Sequence, residues 1–174
     1  MLERDNNANR KGEFDKQGRT IVGMNEGKLV IASENDTQVF TFEVLGCNAV
    51  AIEGIYKDKR FGAITNYDPL NIQNNLLQIA QLGELINNSG ELKEVNAELF
   101  VRGDWEKVGD KWQLKPKSPT EVEQLGQSIQ ASFGENTLIK ISPYSDNLDY
   151  YKKEQGQIIV NISNSLKNIK RISG

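Results

Sequence analysis

Short apolar runs in the first third of the chain follow the pattern of β-strands. They span residues 20–23, 28–32, 38–45, 49–52 and 61–65. The third run alternates polar and apolar residues as a half-buried strand does, and the last two flank a polar turn at residues 56–60. The pattern predicts that the first three runs are strands of one sheet and that the last two form a hairpin.

Two amphipathic helices are predicted further along the chain. Asp68 followed by Pro69 is a typical helix start, and apolar residues recur behind it at helical spacing as far as Leu85. A second helix is predicted from the capping box at residues 118–121 to Gly134. The remaining strand-like segments are residues 92–101, a hairpin turning at 109–110, and residues 138–141 and 157–160. This order predicts an α/β (α+β) fold in which two main helices pack on a mixed β-sheet.

The length of 174 residues fits a single domain. Residues 1–18 are polar and lack periodicity, so we expect a mobile N-terminal segment there. One domain should follow over residues 19–166, with a short, mildly basic tail over residues 167–174.

The charge balance and hydropathy argue against several classes of partner. A net charge of −3 leaves no surplus of Lys and Arg to neutralise a phosphate backbone, so we expect no nucleic-acid binding. No apolar run reaches the ~20 residues that cross a bilayer, and the N-terminus has no apolar segment like that of a secretory signal. We therefore expect a cytoplasmic protein without membrane insertion.

The chain contains one cysteine, Cys47, and no histidine. It can form neither an internal disulfide nor an ordinary Cys/His zinc site, and we expect no metal and no cofactor. Cys47 follows Gly46, where a glycine permits a tight turn that exposes the next side chain and an N–H able to hold an oxyanion. That position suits a nucleophile. The alternative is a buried, inert cysteine, which is the commoner role of an unpaired thiol.

The residues around the cysteine follow a recognisable order. Thr41 lies six residues before the cysteine, Leu45-Gly46-Cys47 forms the turn, and the segments 49–51 and 62–64 come after it. This order resembles the chemoreceptor glutamine deamidase CheD, over a stretch from about residue 20 to about residue 162. The CheD fold is shared in outline with the catalytic domain of cytotoxic necrotizing factor toxins, which also deamidate protein glutamines. The resemblance implies a CheD-like layered architecture.

By this resemblance, Cys47 would attack the side-chain carboxamide of a glutamine on a protein substrate. Ammonia would leave, and water would hydrolyse the thioester to leave glutamate. Thr41 matches the residue that orients the family's catalytic histidine, and six positions on one extended strand would put it on the same face as Cys47. An ordinary strand threonine is the alternative for Thr41. CheD proteins also pair with a partner phosphatase of the chemotaxis system, so a protein partner is implied.

The sequence departs from the family at three positions. Asn66 occupies the place of the catalytic histidine, and an asparagine cannot take up a proton near neutral pH. Loss of a positioned base typically costs about 10²- to 10⁴-fold in rate, so activity should be weak or absent unless another group substitutes. Asn48 stands where an apolar residue is more usual, and Gly46 replaces the small residue before the cysteine. Asp68 is the nearest titratable residue along the chain, but a helix cap explains it.

Three hypotheses of function are open at the level of sequence. The first is a cysteine-dependent protein glutamine deamidase with weak or no activity. The second is an inert CheD-like protein-binding module, and the third is an unrelated α/β domain with an incidental cysteine. We expect Cys47 to be at least partly accessible, at the mouth of a small depression near Asn66 and Thr41, whereas a buried thiol favours the third hypothesis. Trp105 and Trp112 are expected on a hairpin at a sheet edge, away from the site.

Overall fold

Two β-sheets and a pair of helices form three layers in the computed structural model of the chain, which describes residues 18–42, 44, 46–87, 91–145, 157–163 and 169–172. A six-stranded sheet lies in the middle, with both helices on one face and a four-stranded sheet on the other. The predicted α/β class, with mixed sheets and two main helices, is confirmed. The prediction for residues 1–17 lies outside the described residues.

The described residues form ten strands in two sheets. The strands are β1 (Arg19–Val22), β2 (Glu26–Ile31), β3 (Gln38–Thr41), β4 (Asn48–Tyr56), β5 (Lys59–Tyr67), β6 (Leu92–Val108), β7 (Lys111–Pro116), β8 (Leu138–Ser145), β9 (Gln157–Asn161) and β10 (Ile169–Ile172). The smaller sheet has the order β1-β3-β9-β10, and the larger has the order β2-β5-β4-β6-β7 with β8 paired to β6. Parallel pairing occurs between β1 and β3 and between β6 and β8.

The first three strands do not share a sheet, and that prediction is wrong. Strands β1 and β3 pair in the smaller sheet, whereas β2 pairs with β5 in the larger one. Asn25 turns the chain between β1 and β2 with a left-handed φ of 58°, and its N–H donates to Asn66 O at 2.6 Å. Its side-chain oxygen accepts from Asp68 N at 3.1 Å and from Asn71 Nδ2 at 3.2 Å. The turn is thus fixed to the end of β5, which directs β2 into the larger sheet.

Both helices begin near their capping signals. They are α1 (Ile72–Asn87) and α2 (Pro119–Phe133). Asp68 accepts from Leu70 N, but it caps a 3-10 turn over Pro69–Asn71 that leads into α1. Ser118 accepts from Glu121 N at the start of α2, as the capping box predicts. The first helix therefore starts one turn later than the sequence pattern indicates.

Two apolar cores join the three layers. The core between the helices and the larger sheet includes Ile52, Leu82, Leu99 and Ile129. The core between the two sheets includes Ile64, Phe100, Ile158 and Val160. The helices themselves approach closely at Gly83, where a Cβ would lie 2.6 Å from Ser132 O. A glycine is required there because any side chain would meet the backbone of α2.

Two segments differ from the predicted boundaries. Strand β6 runs for 17 residues without a break, so the predicted strand and the second hairpin share it. The segment Ile169–Ile172, expected in a tail, forms β10 against β9.

Trp105 and Trp112 lie on the β6–β7 hairpin at the sheet edge, as predicted, and are 58% and 64% exposed. Of the described helices, none is long and apolar enough to cross a membrane.

Candidate functional site around Cys47

Cys47 directly precedes β4, and its side chain is only 3% exposed. Gly46 turns the chain ahead of it with a left-handed φ of 70°, a conformation that favours glycine. The Tyr144 hydroxyl donates to Cys47 O, and Val44 belongs to the inter-sheet core. The prediction of an accessible thiol is therefore wrong for this structure, because the chain around Cys47 packs between the sheets instead of forming the rim of a depression.

The surroundings of the thiol favour its protonated form. Burial raises the pKa of Cys47, the negative charge of Asp68 raises it further, and the positive charge of Arg102 lowers it. Thiolate, the nucleophilic form, is therefore scarcer at neutral pH than in a free cysteine. Asp68 thus has a second role besides the helix cap.

Thr41 and Asn66 meet between the two sheets. Asn66 Nδ2 donates to Thr41 Oγ1 at 3.0 Å, and the Thr41 hydroxyl donates to Val22 O at 2.8 Å. Both side chains are buried. The prediction that Thr41 and Cys47 lie on or near one extended strand is wrong, because β3 ends at Thr41 and belongs to the other sheet. Thr41 therefore contacts Asn66, the residue at the histidine position, from the opposite sheet.

Asn66 and Cys47 lie at the same end of the β4–β5 pair. Asn66 is opposite Ala49, and Cys47 is two residues ahead of Ala49, just before the first residue of β4. The side chain of Asn66 is 1% exposed, and its Oδ1 has no hydrogen-bond partner.

Asn48 faces away from this group. Its Nδ2 donates to Glu121 Oε2 at 2.9 Å in the first turn of α2, and Asn75 Nδ2 donates to Asn48 O at 3.5 Å. Neighbouring strand residues point to opposite faces of a sheet, so the side chain after Cys47 reaches the helix layer. The side chain of Asn48 therefore supports the start of α2.

Sequence reasoning missed Arg102 and Tyr144. A Cβ on Gly46 would lie 3.9 Å from Arg102 Cδ, and Arg102 Nε is buried without a hydrogen-bond partner. Arg102 and Tyr144 are opposite each other in the parallel β6–β8 pair, and Tyr144 is 97 residues from Cys47 in the chain. No local signal marks either residue, because only the pairing of distant strands brings them to the cysteine.

Cys47 is buried with a raised pKa, and Asn66 cannot remove the proton of its thiol. No protein-family model matches the chain, and no curated protein matches it. The resemblance to CheD therefore depends on the order of motifs along the chain and on the hydrogen bond between Asn66 and Thr41.

Proposed function

We propose that the chain is a CheD-like scaffold of a cysteine-dependent protein glutamine deamidase, with weak or absent activity in this sequence. The observation that carries the proposal is the 3.0 Å hydrogen bond from Asn66 Nδ2 to Thr41 Oγ1, with Asn66 opposite Ala49, two residues after Cys47. In the family, the threonine orients the group that Asn66 replaces. The two residues belong to different sheets, so their contact does not follow from proximity in the chain.

The proposed reaction has three steps, and this site has only some of the groups that they need. The Cys47 thiolate attacks the carbon of a glutamine carboxamide, the C–N bond breaks with a proton moving to the leaving ammonia, and water hydrolyses the thioester. The first step is hindered because burial raises the pKa of the thiol and shields it from a substrate. The proton transfers lack a base because Asn66 does not titrate near neutral pH. The expected activity is accordingly low.

A second candidate function is an inert CheD-like protein-binding module, which Asn66 in place of the catalytic base favours. In this form the scaffold keeps a surface for a protein that presents glutamine side chains, and the setting we propose is the cytoplasm. The burial of Cys47 favours a third possibility, an unrelated α/β domain with an incidental cysteine. The experiment must therefore separate all three.

Asn66→His tests the proposal. An imidazole facing the thiol should lower its pKa through a thiolate–imidazolium pair, so that alkylation by iodoacetamide under native conditions accelerates near pH 6 to 7. The gain should approach the 10²- to 10⁴-fold that is typical of a positioned acid–base group. The only thiol of the chain is Cys47, so the label reports one site.

Asn48→His is the matched control, because Asn48 is also buried next to Cys47 but faces Glu121. It should leave the pH profile of alkylation unchanged. Adding Thr41→Ala to Asn66→His should reduce the gain, since the threonine orients the new ring. An unchanged profile in Asn66→His would reject the CheD-like scaffold in favour of an incidental cysteine. A shifted profile without ammonia release from a glutamine-presenting protein would favour the binding module.

A further inference from the structure

Strand β7 lies at one end of the larger sheet and has an unpaired side. It pairs with β6, and no other described strand pairs with it. Four of its six residues are exposed, including Trp112. An unpaired strand presents a row of free N–H and C=O groups. The outer side of β7 is therefore a place where a further strand can add.

The backbone groups of β7 alternate between the two sides of the strand. Lys117, directly after β7, donates its N–H to Arg102 O at 2.8 Å, so the residues two, four and six positions before it also face β6. The N–H and C=O groups of Trp112 and Leu114 then point to the unpaired side. Pro116 points there too, where its missing N–H breaks no hydrogen bond of the β6–β7 pair. The unpaired side thus offers two N–H groups and three C=O groups.

The two faces of β7 differ in chemistry. Neighbouring side chains point to opposite faces, so Trp112 and Leu114 lie on one face and Lys111 and Lys115 lie on the other. Trp105 is opposite Leu114 in the β6–β7 pair and enlarges the apolar face. A strand that adds to β7 places its own alternate side chains on these two faces.

The lysine face carries positive charge that the described residues leave uncompensated. Lys111 is opposite Val108, and Lys115 is opposite Asp104, whose Oδ1 lies 3.6 Å from Lys117 Nζ. Among the ion pairs of the described residues, none includes Lys111 or Lys115. A second copy of β7 would bring lysines against lysines, whereas an acidic strand would bring opposite charges together. The edge therefore disfavours a copy of itself and fits a strand with Asp or Glu at every second position.

We infer that the unpaired side of β7 binds an extended segment of a partner protein, antiparallel to β7, in which apolar side chains alternate with Asp or Glu. The outward groups span the five residues from Trp112 to Pro116, or about 17 Å at 3.4 Å per residue. Such a contact is much smaller than the roughly 800 Å² per partner of a standard stable interface, so binding is weak and reversible. It should weaken further as the salt concentration rises. The inference uses neither Cys47 nor the resemblance to CheD, so it is independent of the proposed function.

Peptide titration followed by tryptophan emission tests the inference. The chain has two tryptophans, Trp105 and Trp112, and both lie on this hairpin, so a bound strand that covers an indole should shift the emission to shorter wavelength. The probe is a capped octapeptide of alternating Val and Glu. A peptide with four Val followed by four Glu has the same composition without the alternation and should bind at least about tenfold more weakly. Equal binding of the two peptides, or no shift with either at millimolar concentration, would overturn the inference.

N-methylation of the peptide tests the main-chain pairing. In an antiparallel addition the residues opposite Trp112 and Leu114 are the valines, and their N–H groups face β7. Methylation of the valine nitrogens should weaken binding by at least about tenfold, because it removes these donors and places methyl groups against the edge. Methylation of the glutamate nitrogens, which face solvent, is the matched control and should have little effect. Similar affinities of the two methylated peptides would show that no strand adds to β7.

A double variant, Lys111→Glu with Lys115→Glu, tests the role of charge. It should bind the alternating Val-Glu peptide at least about tenfold more weakly and should prefer a peptide of alternating Val and Lys. Lys57→Glu with Lys59→Glu, at exposed positions of the β4–β5 hairpin, changes the net charge equally and should keep the preference of the parent. An unchanged preference in the β7 variant would contradict the inference. A dimer of the parent in sedimentation velocity that Trp112→Lys abolishes would show that a second copy occupies the edge instead.

Discussion

Thr41→Val deletes the hydroxyl that joins the two sheets and keeps the shape of the side chain. The change leaves Asn66 Nδ2 without its acceptor in a side chain that is 1% exposed. An unsatisfied buried donor costs about 1–3 kcal/mol, and the lost hydrogen bond to Val22 O adds about 0.5–1.5 kcal/mol. We expect the free energy of unfolding to fall by about 1.5–4.5 kcal/mol.

Asn66→Leu is the partner variant of this test. It removes an amide whose Oδ1 has no partner, places an apolar side chain of similar size beside the inter-sheet core, and leaves Val22 O as the acceptor for Thr41. The expected change is less than about 1 kcal/mol. In the Asn66→Leu background, Thr41→Val leaves no buried donor without an acceptor. The loss of unfolding free energy caused by Thr41→Val should therefore be smaller by about 1–3 kcal/mol.

Urea unfolding of the four proteins, followed by far-ultraviolet circular dichroism, measures this coupling. Tryptophan fluorescence is a poor reporter because Trp105 and Trp112 are both largely exposed. Thr120→Val, on the exposed surface of α2, is the control for the chemical change and should alter stability by less than about 0.5 kcal/mol. An equal cost of Thr41→Val in both backgrounds would refute the Thr41–Asn66 hydrogen bond and the proposal that depends on it.

Two further predictions concern stability. Because the folded pKa of Cys47 is raised, its contribution to stability is complete below the unfolded value near 8.5 and is lost as pH rises through the folded pKa. Relative to Cys47→Ala, the parent should lose up to about 1.4 kcal/mol per pH unit in urea titrations as the pH rises above about 8.5, and parallel profiles would contradict the raised pKa. Gly83→Ala should destabilise the protein, because overpacking against Ser132 O at 2.6 Å costs about 1–3 kcal/mol and exceeds a helix-propensity gain of about 0.8–1 kcal/mol. Gly126→Ala is the control: its Cβ would meet only Ile139 Cδ1 at 3.8 Å, so it should gain the helix propensity and stabilise the protein. Thermal unfolding measures both variants, and melting temperatures that shift in the same direction would show that this reasoning is wrong.

Local signals in the sequence predict the elements well. The caps at Asp68 and Ser118 mark helix starts because their side chains bond the first free N–H groups of the same segment. The hairpin between β4 and β5 turns at Lys57 and Asp58, which both have positive φ, within the predicted polar turn. In these cases the interacting groups are only a few residues apart, so the sequence contains the whole interaction.

The division of strands between the sheets could not be predicted in this way. It depends on which distant partner each strand finds, and the apolar pattern of β2 gives no preference between β3 and β5. The burial of Cys47 has a similar cause, because Tyr144 and Arg102 arrive through the pairing of β6 with β8. The order of motifs did single out Thr41 and Asn66, whose side chains are hydrogen-bonded, although the prediction that Thr41 shares an extended strand with Cys47 is wrong.

The position of β10 has a practical consequence for shortened forms of the protein. A fragment ending at residue 166, where the sequence pattern places the end of the domain, would lack Ile169–Ile172 and expose the backbone of β9 along one side. The sequence of β9 is Gln-Ile-Ile-Val-Asn, which is uncharged and rich in β-branched residues. An open edge of this composition readily adds strands from other molecules, so such a fragment should aggregate where the full chain does not.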